Sequence, residues 1–318
     1  MSAQPAPEES TVSPKRRSGR TAGDRPLWLM WPNIVVVLLV VALPFLIAVY
    51  TSFLSVDQYT LRQWVGAPWV GLENYVEALA GSNVLSVSAL GSLGISVAFS
   101  VLTTLLITPI GILAALTVNT NFRGRALLRS LYLVPYVIPT FVTALLWRMM
   151  FLPKTGLINR TLSAIGLADV NTYWLVGAKS FWAMTFTEVW AVWAFIYIMV
   201  LAGLQSIPIE QYEVAELDGA NSWQKLTRVI LPQLRGLIYL ALLLSTLFHF
   251  NNFTLPFVMF GTPPPSAVTV LPLNIYLTSF NLFDFSLGSA MSVITLIIML
   301  IPGFFYLRML RLGEVTSR

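Results

Sequence analysis

The sequence predicts an all-α integral membrane protein with six transmembrane helices and both termini in the cytoplasm. Three observations support this fold class: 56% of the 318 residues are hydrophobic, only 10% are charged, and six apolar segments are each long enough to cross a bilayer. A soluble domain has about a quarter charged residues and needs them to cover its surface. The solvent for most of this chain is therefore lipid.

The predicted spans are the apolar segments of at least about 20 residues, the helical length that crosses about 30 Å of hydrocarbon. They run from Leu27 to Phe53, Leu90 to Val118, Leu128 to Phe151, Phe181 to Leu204, Leu237 to Phe260 and Ser286 to Leu310. Backbone groups in lipid must be satisfied internally, so each span is expected to be a helix. Four prolines within the spans predict kinks: Pro44, Pro109, Pro135 and Pro139.

The two ends of the chain are expected to be cytoplasmic tails flanking a transmembrane domain over residues 27–310. Residues 1–26 are rich in Pro, Ser, Ala and Arg, a composition that buries too little apolar surface to offset the cost of ordering. We expect this segment to be disordered and to be retained, because the apolar run after it is longer than the core of a signal peptide. Residues 311–318 form the other tail.

The basic residues set the orientation of the spans. With the N-terminus inside, fourteen of the nineteen Lys and Arg residues lie on the cytoplasmic side, and the outer side holds Arg62, Arg148, Lys154, Arg160 and Lys179. This bias obeys the positive-inside rule and agrees with the even number of spans. The net charge of +5 is spread between spans and forms no single patch, so no nucleic-acid partner is expected.

Cysteine and histidine usage excludes several kinds of site. The sequence has no cysteine and one histidine, His249, which excludes disulfides, thiolate metal sites, cysteine nucleophiles and histidine clusters. We find no Walker A sequence and no Ser/His/Asp motif, so the chain is not expected to hydrolyse ATP itself or to be an enzyme. No bound metal or cofactor is predicted.

The loop between spans four and five, residues 206–235, reads as helix, turn, helix. Ser206 can cap the first helix with Pro208 in its first turn, and Gly219 can end it in the left-handed conformation. Asn221 can cap the second helix, with Gln224 completing a capping box. Such an acidic, rigid knob suits docking into a groove of a partner, whereas an amphipathic linker on the membrane surface is the alternative interpretation.

The run from Glu213 to Ala220, followed by Trp223, Ile230, Leu231 and Pro232, resembles the EAA loop of binding-protein-dependent ABC importer permeases. In that family the loop contains a coupling helix that sits in a cleft of the ATP-hydrolysing subunit. The resemblance implies an ATPase-coupling role for Glu213, Ala215, Glu216, Asp218, Gly219 and Ala220. Val214 and Leu226 depart from the usual Ala and Phe, and we interpret both as altered fit to a particular ATPase.

Further motifs resemble the carbohydrate branch of this family, among them Gly71 to Tyr75, Leu133 to Pro135, Gly156 to Asn159 and Ala202 to Pro208. The resemblance implies a type I importer permease of MetI-like architecture in a bacterial or archaeal cell (inner) membrane. It also implies an ABC ATPase dimer carrying ATP and Mg, a related but different second permease, and an extracytoplasmic solute-binding protein. The expected solute is a disaccharide, an oligosaccharide or a glycerol-phosphate derivative.

Polar residues inside the spans are candidates for the solute path, because an ionised or amide group in lipid is costly unless it is paired or faces water. The candidates are Glu188, His249, Asn251, Asn252 and Phe253. Carboxylate and amide groups bind sugar hydroxyls, and aromatic faces pack on sugar C–H surfaces. Hydrogen bonding between helices is the alternative role for these residues.

Two other function classes remain open from the residues alone. A secondary transporter or channel would work without nucleotide, although no matching pair of broken helices marks two inverted halves. A membrane-embedded transferase would need paired acidic residues at a membrane face away from any ATPase contact.

Overall fold

The computed structural model describes residues 31–80 and 87–315, whose regular secondary structure is helical apart from an isolated β-bridge between Leu54 and Trp69. The predicted N-terminal tail lies outside the described residues, as do residues 81–86 and 316–318. The chain separates into two units, residues 1–47 and 48–318. The first unit contributes most of the first apolar helix, and every site described below lies within the second.

Twelve helices are used in the description that follows. They are α1 Trp31–Thr51, α2 Glu73–Ala80, α3 Ala89–Asn119, α4 Arg125–Val137, α5 Thr140–Met150, α6 Leu157–Ala164, α7 Lys179–Ser206, α8 Ile209–Leu217, α9 Ser222–Phe250, α10 Thr254–Phe260, α11 Leu271–Tyr276 and α12 Phe285–Val315. Within the described residues, α1, α3, α7, α9 and the part of α12 up to Tyr306 are each long and apolar enough to cross a membrane. The bent pair α4 and α5 gives a sixth crossing when counted as one span.

The third span is broken, which the sequence prediction of one helix from Leu128 to Phe151 missed. Helices α4 and α5 meet at 87°, with Ile138 extended and Pro139 at the N-cap of α5. A proline restricts the residue before it to extended backbone, so the helix ends there. The kink predicted at Pro139 is therefore confirmed as a full break, whereas Pro109 and Pro135 lie inside continuous helices.

The fifth span also differs from the prediction of Leu237 to Phe260. Its helix α9 begins at Ser222 and ends at Phe250, and the predicted outer end forms the separate helix α10. The break falls at Asn251 and Asn252, whose side chains hydrogen-bond to nearby backbone groups and so compete with helix continuation. Periodicity alone does not reveal such a break.

The main core lies where α3, α7 and α9 pack together. Ile107, Tyr197 and Leu234 are among its buried members. Gly111 allows α3 to approach α7 closely, since a Cβ built on it would lie 2.6 Å from the Cβ of Ile196. Small residues at helix contacts are typical of membrane bundles, where packing replaces the hydrophobic effect.

Candidate functional site

A cavity of about 330 Å³ opens where the two broken spans face helix α7. Tyr136 and Thr140 line it from either side of the break between α4 and α5, and Glu188 lines it from α7. The end of α9 and the segment before α10 supply most of the remaining wall. The cavity therefore exists because two helices stop inside the bundle.

The polar centre of this cavity is a buried pair formed by Glu188 and His249. Nδ1 of His249 lies 3.0 Å from Oε1 of Glu188, and their side chains are only 5% and 7% exposed, respectively. Nε2 of His249 and the hydroxyl of Ser245, one turn earlier on α9, are buried without a hydrogen-bond partner among the described residues. A buried carboxylate in a span is costly unless it is paired, and the imidazole provides that pairing.

Asn251 and Asn252 line the same cavity and also shape the helix break beside it. The Asn251 amide donates to the carbonyl of Leu247 at 2.9 Å, and the Asn252 side-chain oxygen accepts from the Leu255 N–H at 3.2 Å. The side-chain oxygen of Asn251 and the side-chain NH2 group of Asn252 therefore take no part in these two bonds. An asparagine amide has two N–H donors and an acceptor oxygen, so both residues retain capacity for a ligand.

Phe253 completes the set of path residues expected from the sequence, and all five line one cavity. Its ring stacks on Phe257, with centroids 4.9 Å apart, and packs against Tyr276 at 5.0 Å. The sequence reasoning missed Tyr136, Thr140 and Ser245 as lining residues. Pro139 was the available signal for the first two, because a break at that position exposes the residues flanking it.

The loop between α7 and α9 forms a compact elbow. The elbow consists of residues 209–225: helix α8, the turn after it and the first turn of α9. Gly219 ends α8 with a φ of 74°, as the sequence predicted. Its N–H bonds the carbonyl of Glu216 at 3.0 Å, and the Ala220 N–H bonds that of Ala215 at 2.9 Å. This pair of bonds is a Schellman motif, which satisfies the last carbonyls of the helix.

The start of α9 is fixed by the capping box expected from the sequence. The Asn221 side chain accepts from the Gln224 N–H, and the Gln224 side chain accepts from the Asn221 N–H, both at 2.9 Å. The predicted cap at the start of α8 is wrong, however. Ser206 is the last residue of α7 and donates to the Gly203 carbonyl, and Pro208 occupies the N-cap of α8.

One side of the elbow is anchored and the other is free. Ala215 is buried, and Tyr212 packs against the main core, where burial raises the pKa of its hydroxyl. Lys225 forms an ion pair with Glu216 at 2.6 Å, which joins the two arms of the elbow. These contacts hold the turn in one orientation.

The exposed side of the elbow combines acidic and apolar residues. Leu217 is 88% exposed, Trp223 is 70% exposed and Val214 is 57% exposed, and Glu213 and Asp218 lie exposed beside them. Exposed apolar groups ringed by charge mark an interaction surface. Of the predicted coupling residues, Glu213, Asp218 and Gly219 lie on this free side, Glu216 is exposed but paired with Lys225, Ala220 is half-buried, and Ala215 faces the core.

Comparison with known proteins bears on both the cavity and the elbow. Residues 107–312 match the family described as binding-protein-dependent transport system inner membrane component, and this range includes both features. The trehalose/maltose transport system permease protein of Thermococcus litoralis is 34% identical over 76% of this chain and 79% of its own length. The sulfoquinovosyl glycerol transport system permease protein of Agrobacterium fabrum is 29% identical over 91% of this chain and 92% of its own.

A solved structure supports the fold. One chain of a bacterial ABC transporter involved in the import of the acidic polysaccharide alginate superimposes with a TM-score of 0.75. That alignment has 22% sequence identity and covers 90% of this chain and 96% of the other. The expected architecture of an importer permease is thereby confirmed.

Proposed function

Because this chain belongs to the family of binding-protein-dependent transport system inner membrane components, we propose that it lines the path of a sugar-like solute and couples transport to a separate ATPase. The observation that carries the proposal is that the family-matched segment holds both a polar cavity between broken helices and a rigid, exposed elbow. The first feature suits a hydrophilic solute, and the second suits a docking partner.

The chemistry of the cavity supports a sugar. Glu188 and the two asparagines offer hydrogen-bond groups, and Phe253 offers an aromatic face. Sugars present hydroxyls and flat C–H surfaces, which these two kinds of group bind. Relatives named for trehalose/maltose and sulfoquinovosyl glycerol transport agree with a glycoside-type solute.

The elbow supports coupling to an ATPase held on another subunit. Its free side presents Leu217 and Trp223 within an acidic surround, while Ala215 and Tyr212 anchor it to the core. A partner that binds both apolar side chains can therefore push or pull α7 and α9, which flank the cavity. ATP and Mg would bind that partner, and the chain itself would bind neither.

The proposed assembly has a pair of permeases in the cell inner membrane. Two ATPases bind the permeases on the cytoplasmic side, and a solute-binding protein binds them on the outer side. ATP closes the ATPase pair, the elbows transmit that closure, and the spans rock to expose the cavity to alternate sides. In this arrangement neither ATP hydrolysis nor the initial capture of solute is performed by this chain.

Reconstitution in proteoliposomes tests the proposal. Uptake of radiolabelled trehalose and maltose, together with a broader sugar panel, is measured with the complete set of subunits and again with the ATPase or the binding protein left out. We expect uptake only when all subunits and ATP are present. Uptake that persists without the ATPase would contradict the proposal and favour a secondary transporter or channel.

A further inference from the structure

The cavity contains an uneven set of ionisable groups. Its lining, all within the described part of the chain, includes the carboxylate of Glu188, the imidazole of His249 and the phenol of Tyr136, and it includes no Lys or Arg. The cavity wall formed by this chain therefore has one group that is a strong acceptor and one that can carry positive charge.

The imidazole of His249 is already paired with another side chain of the lining. Nδ1 of His249 is 3.0 Å from Glu188, so any charge on the imidazole is matched by the carboxylate. The one imidazole of the lining is thus paired with the one carboxylate, and no Lys or Arg lies beside them in this wall to meet an anionic ligand.

The cost of moving an anion into such a site is large. A carboxylate, sulfonate or phosphate that leaves water needs a cation or several donors to replace its hydration, and a nearby carboxylate opposes it further. A neutral polyol has no such requirement. Its hydroxyls can donate to the second carboxylate oxygen of Glu188, which makes no bond to His249, and can pair with the free ends of the Asn251 and Asn252 amides.

We propose that Glu188 is a specificity-determining residue that restricts this cavity to neutral, polyhydroxylated solutes, and that His249 is the positioning residue that holds its carboxylate in place. The inference rests on the proposed function, since it concerns the solute of the same cavity. It disfavours the glycerol-phosphate derivatives that the family resemblance leaves open. Relatives of this chain are named for both kinds of solute, since trehalose and maltose are neutral and sulfoquinovosyl glycerol carries a sulfonate, so solute charge is a property on which these permeases can differ.

The test measures solute binding to the assembled permease–ATPase complex in lipid nanodiscs. The solute-binding protein is omitted because it applies its own selection. The probes are trehalose and maltose, each compared with the derivative in which one hydroxymethyl group is oxidised to a carboxylate. Dissociation constants are obtained by calorimetry for the wild type and for Glu188→Gln, Glu188→Asp and His249→Gln.

We expect the wild type to bind the neutral sugar at least tenfold more tightly than its acidic counterpart. Glu188→Gln should reduce that ratio at least fivefold, because it removes the opposing charge and frees the imidazole to meet an anion. Glu188→Asp should preserve the ratio. His249→Gln should weaken binding of the neutral sugar while leaving discrimination against the acid intact, a pattern that general loosening of the bundle would not produce.

Two outcomes of the comparison between neutral and acidic sugar would overturn the inference. One is equal or tighter binding of the acidic sugar by the wild type, and the other is an unchanged ratio in Glu188→Gln. Failure of the complex to bind either sugar would also overturn it, and the ATP-driven uptake assay would then show whether the proposed function still stands. Every variant retains the same second permease, so a changed ratio reports on the wall formed by this chain.

Discussion

Oε1 of Glu188 on α7 and Nδ1 of His249 on α9 lie 3.0 Å apart, joining two spans across 61 residues of sequence. Both side chains are almost fully buried. A pair of this kind stabilises the bundle only as a pair, because each group alone would be an uncompensated polar group in a low-dielectric interior.

Removing either member of this pair should therefore leave the other without its partner, so the costs of the two single changes should not add. We expect Glu188→Leu or His249→Leu to lower the free energy of unfolding by about 3–5 kcal/mol, and the double variant to lose less than the sum of the two. Thermal unfolding of the complex in detergent, followed by tryptophan fluorescence, measures this. Asn252→Leu serves as the comparison in the same cavity, and simple additivity of the two single changes would show that the residues do not act together.

The close approach of α3 to α7 at Gly111 gives a second prediction. Gly111→Ala should destabilise the protein by about 1–3 kcal/mol, because the new methyl group would overlap Ile196 and the Tyr197 backbone. Gly94→Ala is the matched control on the same helix, since nothing lies within 4 Å of its Cβ position. That control should be neutral or stabilising, because alanine is the better helix former. Equal unfolding midpoints for the two variants would contradict the packing described here.

Substitutions at Gly219 distinguish the effect of backbone geometry at the turn from the effect of charge at the docking surface. Its φ of 74° costs other residues about 1–2 kcal/mol, and a Cβ there would meet no neighbour. Gly219→Asn should retain uptake, because asparagine tolerates this conformation. Gly219→Val should reduce uptake and solute-stimulated ATPase activity together by distorting the turn, and Gly219→Asp should do the same by adding charge at the docking surface.

Measuring both activities in proteoliposomes distinguishes these cases. Loss of activity in all three variants would show that the left-handed turn is not what matters. Full activity in Gly219→Asp would argue against a partner bound at the turn.

The carboxyl group of Asp284, just before α12, predicts a pH-dependent contribution to stability. Burial raises its pKa, and the nearby carboxylates of Glu77 and Asp57 raise it further, while its hydrogen bond from the Leu287 N–H acts in the opposite direction. A raised folded-state pKa means that the folded protein binds the proton more tightly. The contribution of Asp284 therefore falls as the pH rises from its unfolded to its folded pKa.

Asp284→Asn keeps the acceptor for the Leu287 N–H and removes the charge. We expect it to unfold at a higher temperature than the wild type at neutral pH, with the difference shrinking as the pH is lowered below the folded pKa of Asp284. Melting curves across this range provide the measurement. A difference that does not change with pH would show that the charge of Asp284 is not the cause.

The sequence predicts those structural features that are set by residues close to one another along the chain. The turn at Gly219 and the capping box at Asn221 each involve residues within a few positions of each other, so the local sequence predicts both. The cap predicted at Ser206 is wrong because α7 continues through Ser206, and Pro208 occupies the N-cap of α8 instead. The local sequence also shows that spans four and five contain polar residues, which are candidates for the solute path.

The breaks in the third and fifth spans and the pairing of Glu188 with His249 required tertiary structure. Hydropathy does not distinguish a continuous span from two helices meeting at 87°. The partner of a buried carboxylate can be any polar group on any neighbouring helix, and only the packing of α7 against α9 identifies it as His249. The cavity follows from these same long-range features.

Site-specific cross-linking provides the most direct test of the central claim, that the elbow is where the ATPase docks. The sequence has no cysteine, so a single Leu217→Cys change introduces one reactive group at the most exposed point of α8, and Tyr173→Cys introduces one on the predicted outer side. The complete importer in native membranes is treated with a short thiol-to-amine cross-linker. We predict a cross-link to the ATPase from position 217, altered by ATP, and none from position 173. Absence of that product at position 217, or equal products at both positions, would contradict the account.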